Sequence, residues 1–262
     1  MTASKQGVSA AELRRQVGFG SYQTAWAMLH RFRSVMADPG RGRLAGTVEV
    51  DETLIGGTDE AGKGGRSHGS RKALVAVAVE QIQPKGLGRC RLEVIEDAST
   101  KTLAEFVDRH VETGSVVITD GWRPYRKALG GYLHEAHPIA PSGREAHELL
   151  AGAHRVASLL KRWIEGTHQG SFSDAHLQAY LDEFTLRFNR RRSKTRGLLF
   201  YRLLSQAVAG DPVRYHALVA EHSKKKVRPT PPLERAVVSA RVAGPDAGRP
   251  WRTQDRPGAL AG

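Results

Sequence analysis

The chain of 262 residues contains a single cysteine, Cys90. That excludes a disulfide framework and a self-contained cysteine-rich zinc site. Cys90 alternates with Leu92 and Val94 and reads as a core residue. No apolar run approaches the roughly 20 residues that span a bilayer, and the first residues lack the apolar segment of a secretion signal. A cytoplasmic protein with no membrane partner is therefore expected. Acidic residues are scarce: 27 Asp plus Glu face 40 Lys plus Arg, giving a formal net charge of +13 and a pI near 10.2. Such an excess asks for a polyanion, nucleic acid before membrane. Internal repeats are absent as well.

What is present is a pair of short apolar runs, each ending on one aspartate: Val48-Glu49-Val50-Asp51 and Val116-Val117-Ile118-Thr119-Asp120. A lone carboxylate at the edge of a buried strand is costly unless it is paired or holds a metal. Two such strands suggest acids converging on a hard divalent cation, and the basic chain around them makes a phosphodiester the natural substrate. Two-metal cleavage needs ligands that hold the ions about 3.5–4 Å apart. Asp51 is the candidate bridge between them, Asp120 the ligand of one ion, and a third ligand must come from a helix beside the strands.

Along the chain, Ser9-Ala-Ala-Glu12 is a capping box opening a helix that stops near Gly18, and Ser21 caps a second helix with Tyr22, Ala25, Trp26, Leu29 and Phe32 on one face. Two short helices joined through a glycine turn resemble a helix-turn-helix, with Arg31 and Arg33 as DNA contacts. Residues 38–46 read as a linker. Strands follow at Thr47–Asp51, Lys72–Val79 and Arg89–Glu96, the first two separated by a glycine-rich loop over Leu54–Arg71. A helix capped at Thr102, a fourth strand at Ser115–Thr119, a helix from Trp122 to Leu129 and a short strand near Tyr132 come next. The order βββαβαβα is that of the ribonuclease H-like fold, which sets strands one and four side by side. Helices are expected over Glu145–Glu165, Asp174–Arg192 and Leu198–Val208, and residues 209–262 form a basic tail with too few apolar residues to fold.

Four segments, VEVDETLIGG from Val48, ITDGWRPY from Ile118, HRVASLLKRWIEGTHQG from His154 and HLQAYLDEFTLRFNRR from His176, resemble a bacterial insertion-sequence transposase of the DDE superfamily. The branch is the ISXO-type, whose third acid is Glu, Asn or His with a Lys seven residues on. The resemblance implies an α/β, ribonuclease H-like catalytic domain at 47–208, with a mixed five-stranded sheet and flanking helices, preceded by a helix-turn-helix at 1–37. It implies two divalent ions (Mg²⁺ or Mn²⁺) with no small-molecule cofactor, cleavage of element ends and strand transfer into target DNA, and a homo-oligomer. Asp51 matches the first acid and Asp120 the second. Lys161 matches the lysine, and seven residues back stands His154, the third metal ligand by this match.

Each assignment has a plainer alternative. His154 either binds metal or packs and touches phosphate; Lys161, with Arg162 beside it, contacts a DNA phosphate or is solvated. Trp122 stacks on an unpaired base or anchors the core. Arg187, Arg190, Arg191 and Arg192 form a phosphate-tracking stripe or a solvated face. Glu49 shares the Asp51 face and reads as a supporting or ion-paired acid. Glu52 points to the opposite face, Asp97 is a cap, and Glu183 is the reserve third acid. At the level of the whole chain the alternatives are a metal-dependent nuclease of the same fold and a decayed DNA-binding remnant that represses transposition.

Overall fold

Alternation in the first acidic run sets the architecture. In β1 (Thr47–Ile55) Val48 and Val50 are fully buried among the apolar residues of one face, so Glu49 and Asp51 project to the other. The computed structural model describes residues 6–37, 42–56, 72–84, 86–138, 149–168, 174–211 and 213–220, all within one compact unit. Those parts of the expected linker, glycine-rich loop, first helical turns after Glu145 and basic tail that fall at 38–41, 57–71, 139–148 and 221–262 lie outside the described residues.

Strand β2 (Ala73–Gln81) pairs antiparallel with β1, β3 (Leu87–Ile95) pairs antiparallel with β2, and β4 (Val116–Thr119) and β5 (Leu133–Ala136) run parallel to β1, giving the order β3-β2-β1-β4-β5. This is the mixed five-stranded α/β sheet expected, with the first and fourth strands adjacent. β1, rather than the more apolar β4, is its middle strand, and it runs four residues beyond Asp51 to Ile55. β2 is buried on both faces: Val75, Val77 and Val79 enter one core, Ala76 and Ala78 the other. Helices α3 (Thr100–His110) and α4 (Arg123–Ala128) supply Phe106, Val107 and Tyr125 to the alanine side. Helices α5 (Ala151–His168) and α6 (Leu177–Asn189) cover the valine side. Leu177, Tyr180, Leu181, Phe184 and Phe188 of α6 are all buried, and Cys90 is a core residue as its alternation indicated.

Local signals mostly hold, and the differences have identifiable causes. Ser9 caps α1 (Ala10–Val17) by accepting the Glu12 N–H, and Gly18 ends it in the left-handed conformation at φ 76°. Helix α3 begins one turn earlier than expected, because Ser99, not Thr102, is its cap. Asp97 accepts from Ser99 and Thr102 in the same turn. Helix α5 runs unbroken through Gly152 and Gly166. Leu44, in the stretch read as linker, is fully buried and bridges to Val111. After α7 (Arg196–Ala209) a short helix, α8 (Tyr215–Ala220), occupies the start of the expected tail, with Leu218 buried.

Helix α2 (Tyr22–Ser34) departs from the single face read in its sequence. Tyr22 and Phe32 are exposed, whereas His30 and Arg33 are buried. The helix packs on two sides, against α1 through Ala25 and Leu29 and against α6 through His30 and Arg33. His30 lies in a ring cluster with Trp26, His176 and Tyr180, and Tyr180 also touches His168. Burial, then the charge of Arg33 and the neighbouring His176 and His168, pushes His30 from its ordinary 6.5 down to about 3. Burial and Arg33 push His168 to about 4, against the pull of Glu183. Both rings are neutral in the folded chain, while the unfolded chain protonates below about pH 6.5. Their contribution is thus intact above that pH and is lost as pH falls toward 4 and then 3. The melting temperature is expected to drop between pH 7 and 4, and His30→Phe, which keeps a ring but cannot titrate, to flatten the drop. An unchanged slope would remove His30 as its source.

Candidate active site

Asp51 lies on β1 facing the first turn of α5, and His154 comes from that turn. His154 Nε2 stands 3.6 Å from Asp51 Oδ2, with the imidazole 36% exposed and the carboxylate recessed at 14%. Two donors on one cation, each at about 2.1 Å, lie roughly 3–3.5 Å apart, so this spacing is close to that of co-ligands. The parallel register of β1 and β4 runs Thr47↔Val116, Val48↔Val117 and Glu49↔Ile118. Continued two residues, it sets Asp120 level with Asp51, and in-register residues of parallel strands face the same side. Asp120 opens a tight turn: its Oδ1 accepts the Trp122 N–H at 2.8 Å, and Gly121 follows at φ 75°.

Among the described residues, no three His, Cys, Asp or Glu side chains already enclose a common point. The Asp51–His154 pair is formed, and Asp120, one oxygen engaged in its own turn, is near enough that both aspartates act on the Tyr125 hydroxyl. Two carboxylates and an imidazole make a mixed oxygen and nitrogen donor set without thiolate, which suits Mn²⁺ or Mg²⁺ better than a thiophilic ion.

The other acids on β1 make hydrogen bonds on opposite faces of the sheet. Glu52 turns to the far side, where the buried Tyr125 hydroxyl donates to its Oε1 at 2.5 Å. Burial, then the charges of Glu52, Asp51 and Asp120, raises the Tyr125 hydroxyl well above its ordinary 10, so it stays a proton donor. Glu49, on the Asp51 side, is 2% exposed and accepts the Ala153 N–H at 2.7 Å. Among the described residues it has no ion-pair partner; it accepts from a helix N–H and from the Gln81 amide.

Lys161 and Arg162 are exposed two turns along α5, as is Glu165. Trp122 is 43% exposed beside Asp120, which removes it from the core. Arg31 is exposed, with its Nε donating to Val213 O at 2.9 Å. Arg33 was expected to touch DNA, but it is 1% exposed and its Nε donates to Glu183 Oε2 at 2.8 Å. The same pair removes Glu183 as a reserve ligand, since Arg187 takes its other oxygen at 2.8 Å. Of the arginine stripe, Arg190 lines a shallow groove with Tyr201 and Arg202. Arg191 is spent on the carbonyls of Leu87, Gly88 and Phe188, with its guanidinium 3.9 Å over the Phe188 ring. Sequence reasoning missed the Arg33–Glu183–Arg187 group and the Tyr125–Glu52 bond, because their partners are far apart along the chain.

A mixed sheet in this order, layered by helices and carrying acids on adjacent parallel strands, defines a ribonuclease H-like domain of the DDE transposase class. Residues 43–189, more than half of the chain, match the family model of the ISXO2-like transposase domain, and the chain belongs to that family. It is thereby an insertion-sequence transposase by family. A search of curated proteins finds no match. Among the described residues no helix is long and apolar enough to cross a membrane.

Proposed function

We propose that the chain cuts DNA at the ends of an insertion sequence and joins the freed 3′ ends to target DNA, with Asp51, Asp120 and His154 holding divalent ions. The observation that carries this reading is the Asp51–His154 pair at 3.6 Å, within the span that matches the transposase family. When bound, the ions lower the pKa of the attacking water or hydroxyl and offset charge on the scissile phosphate. Asp51, rigid within the middle strand, would hold the ions together with His154. Asp120, whose Oδ1 also accepts the Trp122 N–H, is the second carboxylate that would hold an ion. His154 binds through a neutral imidazole and brings no negative charge, which favours Mn²⁺ over Mg²⁺.

The exposed cations take the DNA. Lys161 and Arg162 on α5 meet phosphates, the half-buried Arg190 adds a further cation from the groove it lines, and the Trp122 indole stacks on an unpaired base at the cut end. The α1–α2 pair presents Arg31 as the helix-turn-helix contact. Two element ends call for two sites, and so for a homo-oligomer. The test is incubation of the full chain with DNA bearing its gene's flanking ends and a target plasmid, in Mg²⁺, in Mn²⁺ and with chelator. Cut and joined products that need metal are expected. Cutting without joining would make the chain a nuclease of the same fold, and binding without cutting a repressing remnant; either outcome overturns the proposal.

A further inference from the structure

Glu49 sits two residues before Asp51 on the same face of β1, and a carboxylate so deeply buried needs partners. Its Oε2 accepts the Ala153 N–H at 2.7 Å, and its Oε1 takes the Gln81 side-chain amide. Ala153 is the third residue of α5, where a backbone N–H has no carbonyl to bond within its own helix. The following residue is His154, whose own N–H already reaches Leu150 O at 3.0 Å. Glu49 therefore closes the last open donor before the imidazole-bearing residue. It does so from the strand that carries the aspartate facing that imidazole. Its negative charge also lies at the positive end of the helix dipole.

Gly152 allows this approach. The residue is buried, and a Cβ placed on it would lie 2.9 Å from Glu49 Oε2 and 2.9 Å from Leu87 Cδ2. Both are side-chain atoms, so a Cβ here is accommodated only if the Glu49 carboxylate and the Leu87 methyl shift away from the helix.

We propose that Glu49 is a positioning residue: bound to the first turn of α5, it fixes His154 against Asp51, and Gly152 makes the space for that contact. Its functional consequence rests on the metal-holding reading of the pair. The test uses the full chain, Mn²⁺ alone as probe, calorimetric titration, and amide exchange at Ala153. Glu49→Ala is expected to speed exchange at Ala153 and to weaken Mn²⁺ binding about 10- to 100-fold, the usual effect of losing a group that orients a metal ligand. Glu49→Gln still accepts the N–H and should restore most of both. Gly152→Ala keeps the carboxylate but displaces it, and should behave like Glu49→Ala; it carries the test if Glu49→Ala does not fold. Parental Mn²⁺ affinity in a folded Glu49→Ala chain overturns the proposal. So does a Glu49→Gln chain that loses the ion as fully as Asp51→Asn, because Glu49 would then be a ligand itself. A parent chain that takes up no Mn²⁺ through Asp51 overturns the metal reading instead, and exchange at Ala153 then decides the anchor alone.

Discussion

Asp51→Asn is expected to abolish cleavage of end-containing DNA while leaving the fold and DNA binding intact. The side chain keeps its shape, so packing against α5 is preserved. What goes is the charge that would hold two cations in place. Stabilisation worth several kcal/mol at the reacting phosphate corresponds to roughly a thousandfold or more in rate. The melting temperature should stay level or rise, since Asp51 stands on one strand with Glu49 and Glu52 and level with Asp120, and removing one of several like charges relieves repulsion. Asp120→Asn should give the same loss of cutting. Its turn survives because an amide oxygen can still accept the Trp122 N–H. Gel assays of end cleavage, read beside melting curves and DNA-binding isotherms, check all three quantities. Retained cutting in either variant, with the fold unchanged, would remove these carboxylates from the chemistry.

How much of this was legible before the coordinates depended on the range of the interaction. The β1 and β4 runs announce themselves locally, through alternation and β-branched residues ending on a carboxylate. His154 was picked out by the family resemblance, seven residues before the matching Lys161, and the fold brings it to 3.6 Å from Asp51. Arg33 was misread because a basic helix end looks the same whether it faces DNA or a buried acid. Its partner, Glu183, lies 150 residues away, beyond the reach of any helical periodicity. Arg191 is exposed as read, but an arginine stripe shows only charge, not that two of its donors close the carbonyls at the start of β3. Glu49 was read as a supporting or ion-paired acid, and its bond to the Ala153 N–H could be identified only once α5 was seen to begin above it.

Glu183→Ala should be the most destabilising of the substitutions considered. Glu183 is fully buried and binds two cations, Arg33 through Oε2 at 2.8 Å and Arg187 through Oε1 at 2.8 Å. The Arg33 guanidinium also lies 4.2 Å from the centre of the Tyr180 ring. Removing the acid strands a buried arginine with the aromatic face as its remaining favourable contact. Breaking a buried pair from one side costs about 3–5 kcal/mol. For a chain of this size that is a fall in melting temperature of roughly 10 °C. Arg33→Met should cost less, because the stem volume is kept and Glu183 retains Arg187. The two variants also separate structure from DNA recognition. If Arg33 serves the α2–α6 contact, Arg33→Met lowers the melting temperature but leaves affinity for element ends at the parental level when measured well below the transition. Loss of affinity with an unshifted melting curve would return Arg33 to the DNA interface and contradict its burial.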